Sequence, residues 1–268
     1  EADGKRISLA GDWKYRIGLS LTGFPPAPIS PVQSSSYPTV LFNAMVKPWT
    51  AFPIKGVIWY QGEANVGRSE QYGDLFPALI TDWRRQWRGD FPFFFVQLAN
   101  FMESKKIQPD SEWAALREAQ TKALKLDQVG MAVTIDIGLA DDIHPKNKQE
   151  VGRRLALVAL AGSYGKNVSS SAPVFQNYII KGNKMELDFG QKQDGFQIKG
   201  TTLKGFIIAG PDRVFYPAEA MVHDGKIILS STEVPAPLAA RYGWADNPDC
   251  NLYGENGLPV APFRTDCW

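Results

Sequence analysis

The sequence has few of the residues that bind transition metals or form covalent cross-links. Its 268 residues include two cysteines and two histidines, and a structural zinc site needs four such ligands close together. Cys250 and Cys267 could hold zinc only with histidines nearby, and the only histidines are His144 and His223. We therefore predict no metal site and no cofactor. The two cysteines either form one short-loop disulfide, which would fit an exported protein, or stay unpaired.

An excess of charge and long apolar runs are also lacking. The chain has 29 basic and 28 acidic residues, a net charge of +1, so no field attracts nucleic acid or an anionic membrane. The longest strongly apolar stretches, residues 91–99 and 155–162, are too short to cross a bilayer. We therefore predict no nucleic-acid partner and no membrane span. The hydrophobic content of 44% and the charged content of 21% are typical of globular chains.

The chain changes character twice. Residues 1–36 predict the end of a β-rich insert and a proline-rich connector, because the four prolines between Pro25 and Pro31 exclude a helix or a central strand. Residues 37–171 alternate apolar strands with amphipathic helices, and residues 172–268 lose the helical period. The predicted organisation is thus a connector, an α/β part and a β-rich part.

The middle part predicts a parallel sheet covered by helices on both faces. Continuous apolar runs of strand length alternate with segments of 3.6-residue period. Pro77, inside the first helical pattern, predicts a kink or a late helix start. The predicted strands are Gly56–Tyr60, Phe93–Leu98 and Met131–Asp136, and the predicted helices cover 72–87, 113–124 and a segment from about Val151 to Ala159.

The last part predicts an all-β, sandwich-like region. Turn signals separate short strands, and Asp224-Gly225 between two alternating segments is typical of a β-hairpin. A second hairpin is predicted around Lys181-Gly182-Asn183. The fold class is therefore α/β, a partial three-layer α/β/α domain followed by a β-rich region.

Two polar loops follow strands of the predicted parallel sheet, where ligands collect in such folds. One contains His144 with Asp141 three residues earlier, and a histidine that acts as general base needs such a carboxylate on its other ring nitrogen. Asp142 is an alternative partner. The competing interpretation is a solvated loop in which an aspartate caps the following helix.

The other loop is Gln61-Gly62-Glu63-Ala64-Asn65, directly after the first strand. The amide of Gln61 suits a donor to an oxyanion in acyl transfer, and Gly62 allows substrate to approach the backbone. Glu63 and Asn65 either bind sugar hydroxyls or cap the next segment.

In these loops and beyond, the sequence resembles the sialate O-acetylesterase family of SGNH-type hydrolases. The resemblance runs over nearly the whole chain, as an ordered series of motifs. They are 56–65, 70–72, 79–84, 93–101, 116–120, 141–146, 152–155, 241–248 and 262–266.

The resemblance implies removal of acetyl groups from O-acetylated sugars, sialic acid especially, by a serine nucleophile with a His-Asp pair. It implies that His144 is the base, that Asp141 orients it, and that Gln61 lines the oxyanion site. Ala64 stands where members often have serine. The family's early Gly-Gln-Ser-Asn nucleophile segment and its Gly-Gly segment do not occur here. We therefore expect the nucleophile to lie on a missing N-terminal part of the same enzyme, and this chain alone to be inactive. The expected location is an exported compartment (secreted, periplasmic or lysosomal).

Two alternatives remain open. One is a noncatalytic carbohydrate-binding module that uses exposed tryptophans, and the other is an esterase for another acetylated sugar, such as acetylated xylan. A nucleotide-binding enzyme is disfavoured, because residues 162–166 lack the spacing and strand context of a phosphate loop.

Overall fold

A computed structural model describes residues 37–190 and 195–268. The chain divides into two units, residues 1–49 and 50–268. In the first unit, a π-helical turn at Phe42–Val46 is followed by a 3-10 turn at Lys47–Trp49. The strands and the connector predicted within residues 1–36 lie outside the described residues, and the predicted boundaries at 36/37 and 171/172 stay predictions. All elements below belong to the second unit.

The first part of this unit contains the predicted parallel sheet. Its three strands pair in the order β1-β2-β3, and both pairs are parallel. The elements are β1 (Val57–Trp59), α1 (Ser69–Trp87), β2 (Phe93–Val96), α2 (Glu112–Thr121), β3 (Val129–Ala132) and α3 (Lys148–Gly162), with 3-10 turns at Glu63–Asn65 and Lys122–Lys125.

The sheet has a hydrophobic core on each face, because successive side chains of a strand point to opposite sides. In β2, Phe93 and Phe95 pack with residues of α1 and α2. Phe94 and Val96 pack instead with residues of α3. The three-layer α/β/α arrangement is therefore confirmed.

Helix α1 and strand β3 differ from the sequence prediction in ways that have a physical reason. Helix α1 begins at Ser69 and continues through Pro77, so the late start is wrong. Residue 73, whose carbonyl loses its donor at Pro77, is a glycine, and a Cβ there would lie 2.7 Å from Lys122 Nζ. Strand β3 starts at Val129 and ends at Ala132, because its register with β2 runs from Val129 opposite Phe93.

The β-rich part confirms the predicted sandwich-like region. It has two four-stranded sheets, ordered β4-β5-β10-β9 and β13-β11-β7-β8, and a two-stranded sheet of β6 and β12. Residues of both larger sheets share one core. The strands are β4 (Asn177–Lys181), β5 (Lys184–Asp188), β6 (Phe196–Ile198), β7 (Phe206–Ala209), β8 (Phe215–Pro217), β9 (Glu219–His223), β10 (Lys226–Ser230), β11 (Ala239–Tyr242), β12 (Leu252–Gly254) and β13 (Phe263–Arg264).

Both predicted hairpins form, β4–β5 and β9–β10. In the second, Asp224 and Gly225 have φ values of 50° and 73°, and positive φ at both central positions is the geometry that makes Asp-Gly a hairpin turn.

The two cysteines are free thiols, so the first of the two predicted alternatives, a disulfide between them, is wrong. Cys250 packs against the core of the β-rich part, whereas Cys267 is exposed next to the last residue. Within residues 37–190 and 195–268, no helix combines the length and the apolar character needed to cross a membrane.

Candidate functional site

The two polar loops follow strands β1 and β3, which run parallel to β2, so both start from the carboxyl edge of the sheet. We call residues 60–65 the Gln61 loop and residues 137–147 the His144 loop. The first directly follows β1, and the second joins the end of β3 to α3. The ammonium of Lys148, the first residue of α3, lies 4.7 Å from the ring centre of Tyr60. The start of α3 is therefore next to the end of β1.

The Gln61 side chain is held in place from several sides. Its Nε2 donates to Asn65 Oδ1 at 2.7 Å, and the Tyr72 hydroxyl donates to its Oε1 at 3.3 Å. Its main-chain oxygen accepts from Gln120 Nε2 at 3.2 Å. An amide nitrogen carries two hydrogens, so one hydrogen of Gln61 remains for a ligand oxygen such as an oxyanion.

The neighbours of Gln61 in this loop differ in their surroundings. Gly62 is buried, and an added Cβ would lie 3.1 Å from Gln120 Nε2. Glycine is therefore needed here for close packing by protein side chains. The carboxylate of Glu63 makes no hydrogen bond within the described part of the chain. Burial, together with the charge of Glu63, raises the pKa of Tyr60 to about 12, so this hydroxyl stays protonated at neutral pH.

The ring of His144 projects from its loop, and its side chain is 87% exposed. The hydrogen bond predicted from the ring to Asp141 is not formed. Asp142 Oδ1 instead accepts the main-chain N–H of His144 at 2.9 Å and lies 3.8 Å from its Nδ1. This local turn leaves Asp141 exposed. A separation of 3.8 Å is too long for a hydrogen bond, so both ring nitrogens of His144 are accessible.

The His144 loop is attached to the loop that follows β2. The N–H of Gly138 donates to Asn100 Oδ1 at 2.7 Å, and the N–H of Met102 donates to the Ala140 oxygen at 3.0 Å. Asn100 Nδ2 in turn donates to Asn247 Oδ1 at 2.7 Å. The β-rich part thus supports the carboxyl edge of the sheet through Asn247. We did not identify Asn100 from the sequence, although it ends an apolar run at a strand end, which is the signal that marked the other two loops.

No serine hydroxyl hydrogen-bonds to His144 in residues 37–190 and 195–268. The buried Ser111 caps α2 and donates to Asp246 Oδ1 at 2.6 Å. Across the same ranges, no group of three or more His, Cys, Asp or Glu side chains could hold a metal ion. The described site contains an exposed imidazole, carboxylates and an amide donor.

The sequence and the fold are similar to those of known proteins. The solved structure of a carbohydrate acetylesterase from Xanthomonas citri superposes with a TM-score of 0.82 at 46% sequence identity, covering 86% of this chain and 55% of that one. Human sialate O-acetylesterase is 31% identical over 284 residues, covering 94% of this chain and 54% of the human protein. The Pongo abelii sialate O-acetylesterase is 32% identical over the same length.

The fold and the structural neighbour together place the chain in the class of the carbohydrate esterases. Residues 27–161 match the family described as carbohydrate esterase, sialic acid-specific acetylesterase. The chain belongs to that family. It spans about half the length of the curated relatives it matches.

Proposed function

We propose that this chain carries the base and part of the oxyanion site of a serine esterase that removes acetyl groups from O-acetylated sugars, sialic acid in particular. The observation that supports this proposal is the exposed His144 ring at the carboxyl edge of the sheet, beside two aspartates. The family and the sialate O-acetylesterase relatives support the substrate class.

In this proposal, the Nε2 atom of His144 takes the proton of a serine hydroxyl as that oxygen attacks the acetyl carbonyl. The free amide hydrogen of Gln61 contributes to stabilising the oxyanion that forms. The imidazolium then protonates the departing sugar oxygen, and a water molecule releases acetate by the same steps in reverse. The proposal assigns the other ring nitrogen to Asp141 in the complete enzyme, where the loop would have to bring the two side chains together, since the Asp142 oxygen nearest the ring is engaged by the loop backbone.

The serine comes from a part of the complete enzyme outside these 268 residues. Strand β1 is at one side of its sheet and has no second neighbour among the described strands. Ile58 in this strand is 71% exposed, although strands of parallel sheets are normally buried on both faces. A further parallel strand beside β1, with a helix packed on the same face, would cover Ile58 and bring its own carboxyl end to the Gln61 loop.

The β-rich part offers little to the alternative of a binding module. Of its two tryptophans, Trp244 is only 6% exposed, and its Nε1 donates to the Pro109 oxygen. Trp268 is 40% exposed and lies against the Arg213 guanidinium. A sugar-stacking surface of several exposed tryptophans is therefore not found in the described β-rich residues.

The test is acetyl release from O-acetylated sialic acid, acetylated xylan fragments and an aryl acetate. We expect residues 1–268 alone to be inactive, and the complete enzyme, or this chain with its N-terminal part added, to be active. His144→Ala in the active form should lower kcat by at least about 10²-fold. His223→Ala, which removes an exposed histidine outside the site, is the matched control.

Equal kcat for His144→Ala and His223→Ala would contradict the assigned base. Activity of residues 1–268 that a serine reagent abolishes would contradict the missing nucleophile. Failure of the complete enzyme on every acetyl ester would favour the binding-module alternative, and a preference for xylan fragments would replace sialic acid as the substrate.

A further inference from the structure

The His144 loop is fixed at both of its ends by one buried side chain. The loop begins after Asp136, just beyond β3, and ends at Asn147, which caps α3. The side chain of Arg154, in the second turn of α3, is 5% exposed. Such a buried charge costs free energy unless its donors are all paired.

Arg154 pairs its donors with groups on both sides of the loop. Nη1 and Nη2 bind the two oxygens of Asp136 at 2.6 and 2.9 Å, and Nη1 also donates to the Val133 oxygen at 2.7 Å. Nε donates to Glu150 Oε1 at 2.7 Å, in the first turn of α3. The same planar group thus connects the strand end with the helix start.

The partners of Arg154 are themselves held. Asp136 Oδ2 accepts a hydrogen bond from the Tyr253 hydroxyl at 3.2 Å, which brings in strand β12. Glu150 is also bound by Arg153, through two contacts of 2.7 Å. Arg153 is 50% exposed and contacts Glu150 alone among the described carboxylates, so it touches only the helix end of the loop.

We propose that Arg154 is the positioning residue for His144. By joining Asp136 to Glu150, it fixes the distance between the two ends of the loop, and this distance sets where the exposed ring stands relative to the serine and substrate. The inference rests on the proposed role of His144 as base. A displacement of about 1 Å in a catalytic group is enough to lower a rate by about 10²-fold.

The first experiment measures loop order without activity. Hydrogen–deuterium exchange of residues 137–147 is compared in the 268-residue chain for the parent, Arg154→Met and Arg153→Met. We expect faster exchange in this loop for Arg154→Met, with the hairpin strands of β9 and β10 unchanged, and parental exchange for Arg153→Met. Parental exchange in both variants would overturn the proposal.

The second experiment measures kcat and KM in the complete enzyme. Arg154→Met should lower kcat by about 10²-fold with KM within about twofold of the parent, since an active base acts mainly in the transition state. Arg154→Lys, which can pair with Asp136 but cannot bind both ends at once, should fall between. A parental kcat for Arg154→Met, or a change in KM alone, would overturn the positioning role.

Two outcomes separate this inference from the proposed function. If His144→Ala keeps the parental kcat, the assigned base fails, whatever the exchange data show. If His144→Ala is inactive but Arg154→Met is fully active, only the positioning role fails. Should Arg154→Met not fold, Asp136→Asn removes the same charge pair at the strand end and must reproduce the loop exchange and the loss of kcat.

Discussion

Replacement of Arg117 by methionine should be among the most destabilising single changes in this protein. Arg117 lies on α2, is 0% exposed, and donates to four main-chain oxygens. Two of them follow β2 and two precede β12, so the side chain joins the sheet edge to the β-rich part. The acceptors are Leu98 at 2.8 Å, Ala99 at 2.9 Å, Ala245 at 2.7 Å and Asp246 at 2.8 Å.

The size of the effect follows from what each oxygen retains. The Ala99 oxygen keeps the indole N–H of Trp113, and the Asp246 oxygen keeps the N–H of Phe101. The oxygens of Leu98 and Ala245 keep no other donor in the described part of the chain. A buried polar group without a partner costs about 1–3 kcal/mol, so these two account for roughly 2–6 kcal/mol.

The charge itself offsets part of this loss. Burial lowers the pKa of Arg117 to about 9, which shows that the guanidinium loses solvation in its site, and methionine does not carry that cost. We therefore expect the net loss to fall in the middle of that range, about 4 kcal/mol in the free energy of unfolding.

The assay is urea unfolding followed by tryptophan fluorescence. Arg117→Met should lower the midpoint without changing the m-value. The control is Arg85→Met, which removes an exposed ion pair with Asp82 and should cost less than about 1 kcal/mol. A loss below about 1 kcal/mol for Arg117→Met would show that the four hydrogen bonds contribute no net stability.

Three other results can be checked with simple variants or reagents. Gly138→Ala would overlap the main-chain oxygen of a neighbouring loop and should cost about 1–3 kcal/mol in urea unfolding; an unchanged midpoint would contradict the tight packing. Hydrogen bonds, first from Arg153, lower the pKa of Glu150 to about 2, so its stabilisation is present above about pH 4.5 and lost as the pH falls towards 2. The difference in free energy of unfolding between the parent and Glu150→Gln should therefore shrink to zero over that pH range. A difference that stays constant would refute the contribution of ionised Glu150. With a thiol reagent, exposed Cys267 should react at once and Cys250 only on unfolding, since burial raises the pKa of the Cys250 thiol to about 12. Detection of no free thiol in the unreduced protein would instead indicate a disulfide between the two cysteines.

Most of the fold could be predicted from the sequence because its signals are local. The apolar period of α1, the continuous apolar run of β2 and the Asp224-Gly225 turn each determine a structure within a few residues. The bounds of β3 could not be predicted in this way, because its pairing with β2, from Val129 opposite Phe93, sets where the strand begins and ends. The alternation of strand and helix then implied the three layers, and the cores on both faces confirm them.

The candidate site was only partly predictable, because local sequence order places some of its residues and long-range contacts place the others. Gln61 and His144 stand directly at strand-end loops, so the order of elements places them. Asn100 and Asn247, which support the His144 loop, are 147 residues apart, and Arg154 reaches Asp136 across 18 residues. Contacts over such separations leave no periodic pattern in the sequence.

The two aspartates before His144 can be separated by substitution to asparagine, which keeps an acceptor oxygen but removes the charge. Asp142 accepts the main-chain N–H of His144, and asparagine can do the same, so Asp142→Asn should retain most of kcat in the complete enzyme. Asp141, if it orients the ring and stabilises the imidazolium, needs its charge, and Asp141→Asn should lower kcat by at least about 10²-fold. Both variants should show the parental urea midpoint, because both side chains lie in one surface loop. A large loss for Asp142→Asn with parental kcat for Asp141→Asn would transfer the orienting role to Asp142, whose oxygen already stands 3.8 Å from the ring nitrogen.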